Sequence, residues 1–142
     1  MVAKQLSVFI ENRQGRLGEV LNVLKNNNVN ILSLSLADTT EYGLLRLIVN
    51  DPELGKEMLS KEGFSTLLSD VLVIRIAHIS GSLQELIVKL SESGINVEYM
   101  YGLSTNADQA FVVLKASCVE KAIEVLKANG VQTLSTEEIA GL

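Results

Sequence analysis

Gly15-Arg16-Leu17-Gly18-Glu19-Val20-Leu21 and Gly81-Ser82-Leu83-Gln84-Glu85-Leu86-Ile87 are two versions of one segment. Gly, Leu and Glu recur at an offset of 66 residues, and the same offset pairs Leu24 with Leu90, Val29 with Ile95 and Asn30 with Asn96. Further on, Gly63-Phe64-Ser65-Thr66-Leu67 aligns with Gly130-Val131-Gln132-Thr133-Leu134 at an offset of 67, which places one extra residue in the second copy, around Thr105 to Asp108. Chance likeness among Leu-rich segments does not keep a register over half a chain. A period this long, occurring twice, describes a duplicated small domain rather than a solenoid. The copies divide as residues 1–69 and 70–142, meeting near Ser69-Asp70 without a Pro- or Gly-rich linker. Two small units joined so closely are expected to pack on each other.

Each copy reads β-α-β-β-α-β, the ferredoxin-like split unit with an antiparallel sheet. In the first, Leu6 to Ile10 is a strand; Leu17, Val20, Leu21 and Leu24 then fall at i, i+3, i+4 and i+7, one helical face. Asn26-Asn27-Asn28 ends that helix, because Asn tolerates the left-handed conformation. Val29 to Leu36 is the second strand, Tyr42-Gly43 a turn, and Leu44 to Val49 the third strand. Asp51-Pro52 starts a helix: Asp caps it, and Pro sits where a missing N–H costs nothing. That helix runs to about Lys61, Gly63 stops it, and Phe64 to Leu68 is the fourth strand. In the second copy, Val71 to His78, Ile95 to Leu103, Ala110 to Lys115 and Val131 to Ser135 are the strands. Its helices open at two spacings that suit capping boxes, Ser82 with Glu85 and Ser117 with Glu120. The expected fold class is α+β, two tandem ferredoxin-like units with their antiparallel sheets side by side. Sheets joined at their edges would also hide strands that could aggregate.

Composition narrows the function. The chain has 142 residues, 47% of them hydrophobic, enough for a core. Twelve Lys and Arg stand against 17 Asp and Glu, a net charge of −5, and the cations are scattered. A nucleic-acid binder needs the opposite balance or a basic stripe. No apolar run approaches a membrane span, and the N-terminus lacks the charge and apolar pattern of a signal peptide. The single cysteine, Cys118, cannot close an internal disulfide and is expected to pack as a small hydrophobe, in keeping with a cytoplasmic protein. The single histidine, His78, leaves little for a metal site, and no metal-ligand, P-loop or CxxC spacing occurs. His78 and Cys118 are 40 positions apart and fall on different elements, and no carboxylate pair is singled out, so a catalytic site is not expected. No cofactor is implied.

The loops carry the remaining information. The first strand–helix connection is Glu11-Asn12-Arg13-Gln14-Gly15-Arg16-Leu17, and Asn28-Val29-Asn30-Ile31 opens the next strand. The second copy has His78-Ile79-Ser80-Gly81-Ser82-Leu83 and then Ser93-Gly94-Ile95-Asn96-Val97. Over essentially the whole of both halves this resembles the ACT domain, a ligand-binding regulatory module of amino-acid metabolism. The family pattern is Arg-Pro-Gly-x-Leu opening the helix and Gly-(Val/Ile)-Asn-Ile opening the second strand. Gln14 replaces the usual Pro, and the second copy keeps only Gly81 and Leu83 of the helix signature. A chain consisting of two copies resembles the stand-alone tandem ACT proteins.

The resemblance implies that a free amino acid or similar metabolite binds where the β1–α1 loop of one unit meets the start of β2 in another. Asn12 matches a loop position contacting the ligand, Asn30 and Asn96 match the strand-start Asn, and His78 holds the position of Asn12 in the second copy. An Asn amide donates and accepts, so it can read an ammonium and a carboxylate. Equally, Asn30 and Asn96 read as backbone caps, and His78 as a strand-end residue with one hydrogen bond. Gly15 and Gly81 precede helices whose unpaired N–H groups suit a carboxylate, or they simply make the turn. Arg13 and Arg16 can pair with a carboxylate or stand solvated. Tyr99 and Tyr101 share a strand face, with Met100 on the other; they pack on the sheet or line the pocket. The implied function is a non-catalytic sensor acting in trans on a regulated enzyme or transporter, with a homodimer also in view. The alternative is an interaction module of ACT type without ligand.

Overall fold

The computed structural model describes residues 1–38, 41–76, 81–103 and 110–142. Among these are six strands and five helices: β1 (Ala3–Glu11), α1 (Arg16–Asn26), β2 (Ile31–Asp38), β3 (Tyr42–Val49), α2 (Pro52–Lys61), β4 (Ser65–Ile76), α3 (Ser82–Glu92), β5 (Val97–Leu103), β6 (Ala110–Ala116), α4 (Val119–Ala128) and α5 (Thr136–Ala140). The chain forms two compact units, one of Lys4–Ser69 and one of Asp70–Leu142 with Met1–Ala3. The extra residue expected around Thr105 to Asp108 lies outside the described residues.

In the first unit β3 lies between β2 and β1, antiparallel to both, with Leu6 opposite Leu47 and Leu34 opposite Leu47 on the other side. Side chains alternate across a strand, so Leu6, Val8 and Ile10 share one face with Leu45, Leu47 and Val49. That face is covered by Val20 and Leu24 of α1, Leu59 of α2, and Phe64. The i, i+4 stripe Val20–Leu24 is therefore the buried edge of α1. The helix ends where Asn28 takes φ 58°, the left-handed conformation expected of this Asn run. The start of α2 is also as the sequence predicts: Asp51 accepts a hydrogen bond from the Leu54 N–H at 3.2 Å, and Pro52 opens the helix.

The second unit repeats the plan. β6 lies between β4 and β5, antiparallel to both. Leu72, Ile74, Val112 and Leu114 face Leu86 and Leu90 of α3 and Ala122 and Leu126 of α4. The N-terminal residues join this unit: Val2 packs on its core, and the Met1 ammonium donates to Thr133 Oγ1 at 3.0 Å.

Five local expectations are corrected. The strands predicted over Phe64–Leu68 and Val71–His78 are one strand, β4; the Ser69-Asp70 pair contains no Gly or Pro to stop an extended chain. The predicted turn at Tyr42-Gly43 lies inside β3. The strand predicted over Val131–Ser135 is reduced to a single bridge, Thr133 to Ile74. It gives way to α5, where Ser135 and Glu138 form a capping box that the sequence reading passed over. The two predicted boxes do not form. Gly81 caps α3 without a side-chain bond, which makes Ser82 the first helical residue, one position too late to cap. Cys118 occupies the N-cap of α4, while the Ser117 hydroxyl accepts from the Asn96 N–H at 3.0 Å. Cys118 is exposed there, not packed inside.

Candidate functional site

β1 ends at Glu11 and the chain turns at once. The Asn12 N–H donates to the Glu41 carbonyl at 3.0 Å and the Arg13 N–H to the Glu11 carbonyl at 2.8 Å. Gly15 then takes φ 89°, and the Glu19 N–H donates to its carbonyl at 3.0 Å to close the first turn of α1. No side chain caps this helix. A Cβ on Gly15 would meet nothing within 4 Å, so the glycine is required by its dihedral and not by crowding. The loop, β1, the start of α1, β2 and β3 border an open cavity of about 300 Å³ lined by Ile10, Glu11, Asn12, Arg13, Leu17, Leu36 and Gly43. Gly43 forms a close-packed part of its wall, since a Cβ there would come within 3.1 Å of Ile10 Cγ1 and 3.4 Å of Leu36 Cδ1.

Of the residues expected at a site in this copy, Asn12, Arg13 and Leu17 line that cavity, while Gln14, Gly15, Arg16 and Asn30 do not. Sequence reasoning missed Ile10, Glu11, Leu36 and Gly43 as lining groups. A signal existed for one of them: an isolated Gly in a strand pattern marks a close approach. Both arginines hold internal carboxylates. Arg13 Nε is 2.8 Å from Glu11 Oε2, and Arg16 Nη1 is 2.5 Å from Glu19 Oε2. The Arg16 guanidinium also lies 4.3 Å from the centre of the Phe64 ring.

Asn30 and Asn96 occupy matching positions with matching bonds. The Asn30 N–H donates to Asn50 Oδ1 at 2.8 Å, and the Asn50 N–H donates to the Asn30 carbonyl at 3.1 Å. In the other copy the Ser117 hydroxyl stands for the Asn50 amide, and the Ser117 N–H donates to the Asn96 carbonyl at 2.8 Å. The backbone at both sites is thus locked across the sheet edge, and both Asn side chains are exposed. Asn30 borders a separate cavity of about 350 Å³ with Leu21, Lys25 and Asn28.

In the second copy His78, Ile79 and Ser80 lie outside the described residues. Gly81 takes φ 88°, nearly the value of Gly15, and Ser82 and Leu83 open α3 half-buried. Tyr99 and Tyr101 lie opposite Lys115 and Val113, on the face of β5 away from α3 and α4; Met100 lies opposite Leu114 on the helix side. Among the described residues no three His, Cys, Asp or Glu side chains converge, and no helix is long and apolar enough to cross a membrane.

Two βαβ-containing units, each with a helix opened by a left-handed glycine after its first strand, define a tandem ferredoxin-like fold. The family model of the ACT domain pair matches residues 1–142, and the chain belongs to that family. The chain is 39% identical to protein BT0572 from Bacteroides thetaiotaomicron, whose crystal structure it matches with a TM-score of 0.93, over 100% of this chain and 98% of that one. The regulatory subunit of aspartate kinase from Thermus thermophilus, in its ligand-free form, shares the fold with a TM-score of 0.62 at 15% identity, over 88% and 91% of the two chains. No curated protein matches.

Proposed function

We propose that this chain is a regulatory ACT pair that binds a free amino acid or similar metabolite and acts in trans on an enzyme or transporter. The carrying observation is the cavity under the β1–α1 loop, where the Asn12 amide, the Arg13–Glu11 pair and apolar Ile10, Leu17 and Leu36 converge. This arrangement offers both signs of charge and an apolar wall, the chemistry of a zwitterion with a side chain. The uncapped start of α1 adds favourable potential for a carboxylate. In this reading the ligand fills the loop cavity, and the partner reads the resulting change in population. The fold shared with a separate regulatory subunit of aspartate kinase supports action in trans.

A thermal-shift series with the twenty amino acids, nucleotides serving as controls, tests the reading. A ligand that binds only the native state should stabilise it by about 2.7 kcal/mol at 100 times its Kd. A selective response reduced by Asn12→Ala is expected. The internal pairing of Arg13 with Glu11 and Arg16 with Glu19 favours one second reading, an interaction module without ligand. Silence across the whole series would support that module.

A further inference from the structure

The two copies also differ in chemistry at the helix start that follows the loop just described. In the first, the segment after α2 brings the Phe64 ring beneath the start of α1, and the Arg16 guanidinium lies over it, 4.3 Å from the ring centre. Glu19, one turn along, holds the same guanidinium through Nη1. The Arg16 side chain is only 18% exposed, so the site is filled by the protein's own cation. At the repeat offsets, Arg16 corresponds to Ser82, Phe64 to Val131, Glu19 to Glu85, and Val23 to Lys89.

Both occupants have thus become small in the second copy, and the holder has been kept. The result is a cavity of about 260 Å³ between α3, the C-terminus of α4 and the end of β4, lined by Ile76, Leu86 and Val131 on its apolar side and by Arg75, Ser82, Glu85 and Lys89 on its polar side. Among the described residues no ion pair or side-chain hydrogen bond engages the Glu85 carboxylate. Lys89, one turn further, makes no ion pair with it: its ammonium donates to Asn129 Oδ1 at 2.7 Å. The Arg75 guanidinium, part of the same lining, lies over the Phe111 ring, 5.5 Å from its centre, and makes no ion pair with Glu85 among the described residues.

We infer that this cavity is a binding site for the guanidinium of a free small molecule. The first copy supplies the template: carboxylate at the edge of the guanidinium, apolar surface against its face. Glu85 takes the N–H edge, as Glu19 does for Arg16, and Val131 with Leu86 takes the plane of the group. Lys89 stands where a ligand carboxylate would end. The volume is slightly below the roughly 300 Å³ at which ligand pockets begin, which limits the occupant to about the size of one amino acid. The site is distinct from the β1–α1 cavity in position and in the residues that test it.

Calorimetric titration of the full chain with L-arginine, and with agmatine, which keeps the guanidinium and lacks the carboxylate, decides the matter. Both should bind. Glu85→Gln, an exposed change, should weaken both about tenfold or more, because a charge-assisted bond is lost. Val131→Phe and Ser82→Arg, which rebuild the first copy's plug, should each block binding, while Asn12→Ala should leave it unchanged. Failure of both compounds to bind, or binding that Glu85→Gln and Ser82→Arg leave intact, would overturn the inference. An arginine response that Glu85→Gln weakens and Asn12→Ala leaves intact belongs to this site, and one with the opposite pattern belongs to the β1–α1 cavity and overturns the inference.

Discussion

Glycine 15 and glycine 18 stand three residues apart, and their substitutions should have opposite signs. At Gly15 an Ala side chain would meet no atom, yet φ 89° is strained for any L residue. Gly15→Ala should therefore destabilise by about 1–2 kcal/mol in urea unfolding, and Gly81→Ala by a similar amount. Gly18 sits within α1, also with open space at its Cβ, so Gly18→Ala should stabilise by about 0.5–1 kcal/mol. The sequence marks both glycines alike. Only the repeat distinguishes them, since Gly15 recurs as Gly81 and Gly18 does not recur, Gln84 taking its place. The pairing of each arginine with its own neighbour was less legible. Arg13 to Glu11 and Arg16 to Glu19 are short spacings that many exposed pairs share without making contact, and Phe64, which fixes Arg16, is far away in sequence. His78, Ile79 and Ser80 stay expectations from the resemblance.

At the scale of elements, the most legible feature was the start of α2, because Asp51-Pro52 combines a cap and a fixed φ in one place. Asp51→Ala should cost about 1 kcal/mol by losing the bond from the Leu54 N–H. The capping boxes were misread for a reason of the same kind. Ser82 and Ser117 have the right spacing, but a left-handed Gly81 and an extended Cys118 take the N-caps, and only Ser135 is placed to cap. Ser135→Ala should thus destabilise by about 1 kcal/mol, whereas Ser82→Ala should change stability by no more than a few tenths, as read by chemical denaturation. Within α2, Gly55 contrasts with Gly18. A Cβ at Gly55 would lie 3.0 Å from Leu6 Cδ2 and 3.4 Å from Leu24 Cδ2, so Gly55→Ala overpacks the core and should cost about 1–3 kcal/mol despite the better helix propensity. The last predicted strand failed because Val131 to Ser135 has the composition of a strand but only one bridging residue, and the polar Ser135-Thr136-Glu137-Glu138 run turns the chain into α5.

For the molecule, the repeat was the legible part. Its register set two ferredoxin-like units and named the ACT resemblance, and the whole-chain family match bears both out. Function is carried less evenly. The two copies share a fold and the left-handed glycine, but their side chains diverge at Asn12, Arg16 and Phe64 against His78, Ser82 and Val131. Duplication preserves what the core needs, such as fully buried Leu24 and Leu90, and frees the loops to specialise. Either leucine changed to Ala should lose about 2–5 kcal/mol, showing that both cores are needed. The lining of the β1–α1 cavity could not be read beforehand because Leu36 and Gly43 reach it from two other strands, a convergence no linear spacing records. The central claim is that this cavity binds a small amino acid-like ligand. The most direct measurement is calorimetric titration of wild type and of Asn12→Ala with the amino acid, arginine apart, that gives the largest thermal shift. The account predicts saturable binding to wild type and a loss of about tenfold in affinity for Asn12→Ala, the effect of one buried hydrogen bond to a charged group. Equal affinity in both proteins, or no heat from any amino acid, would contradict it.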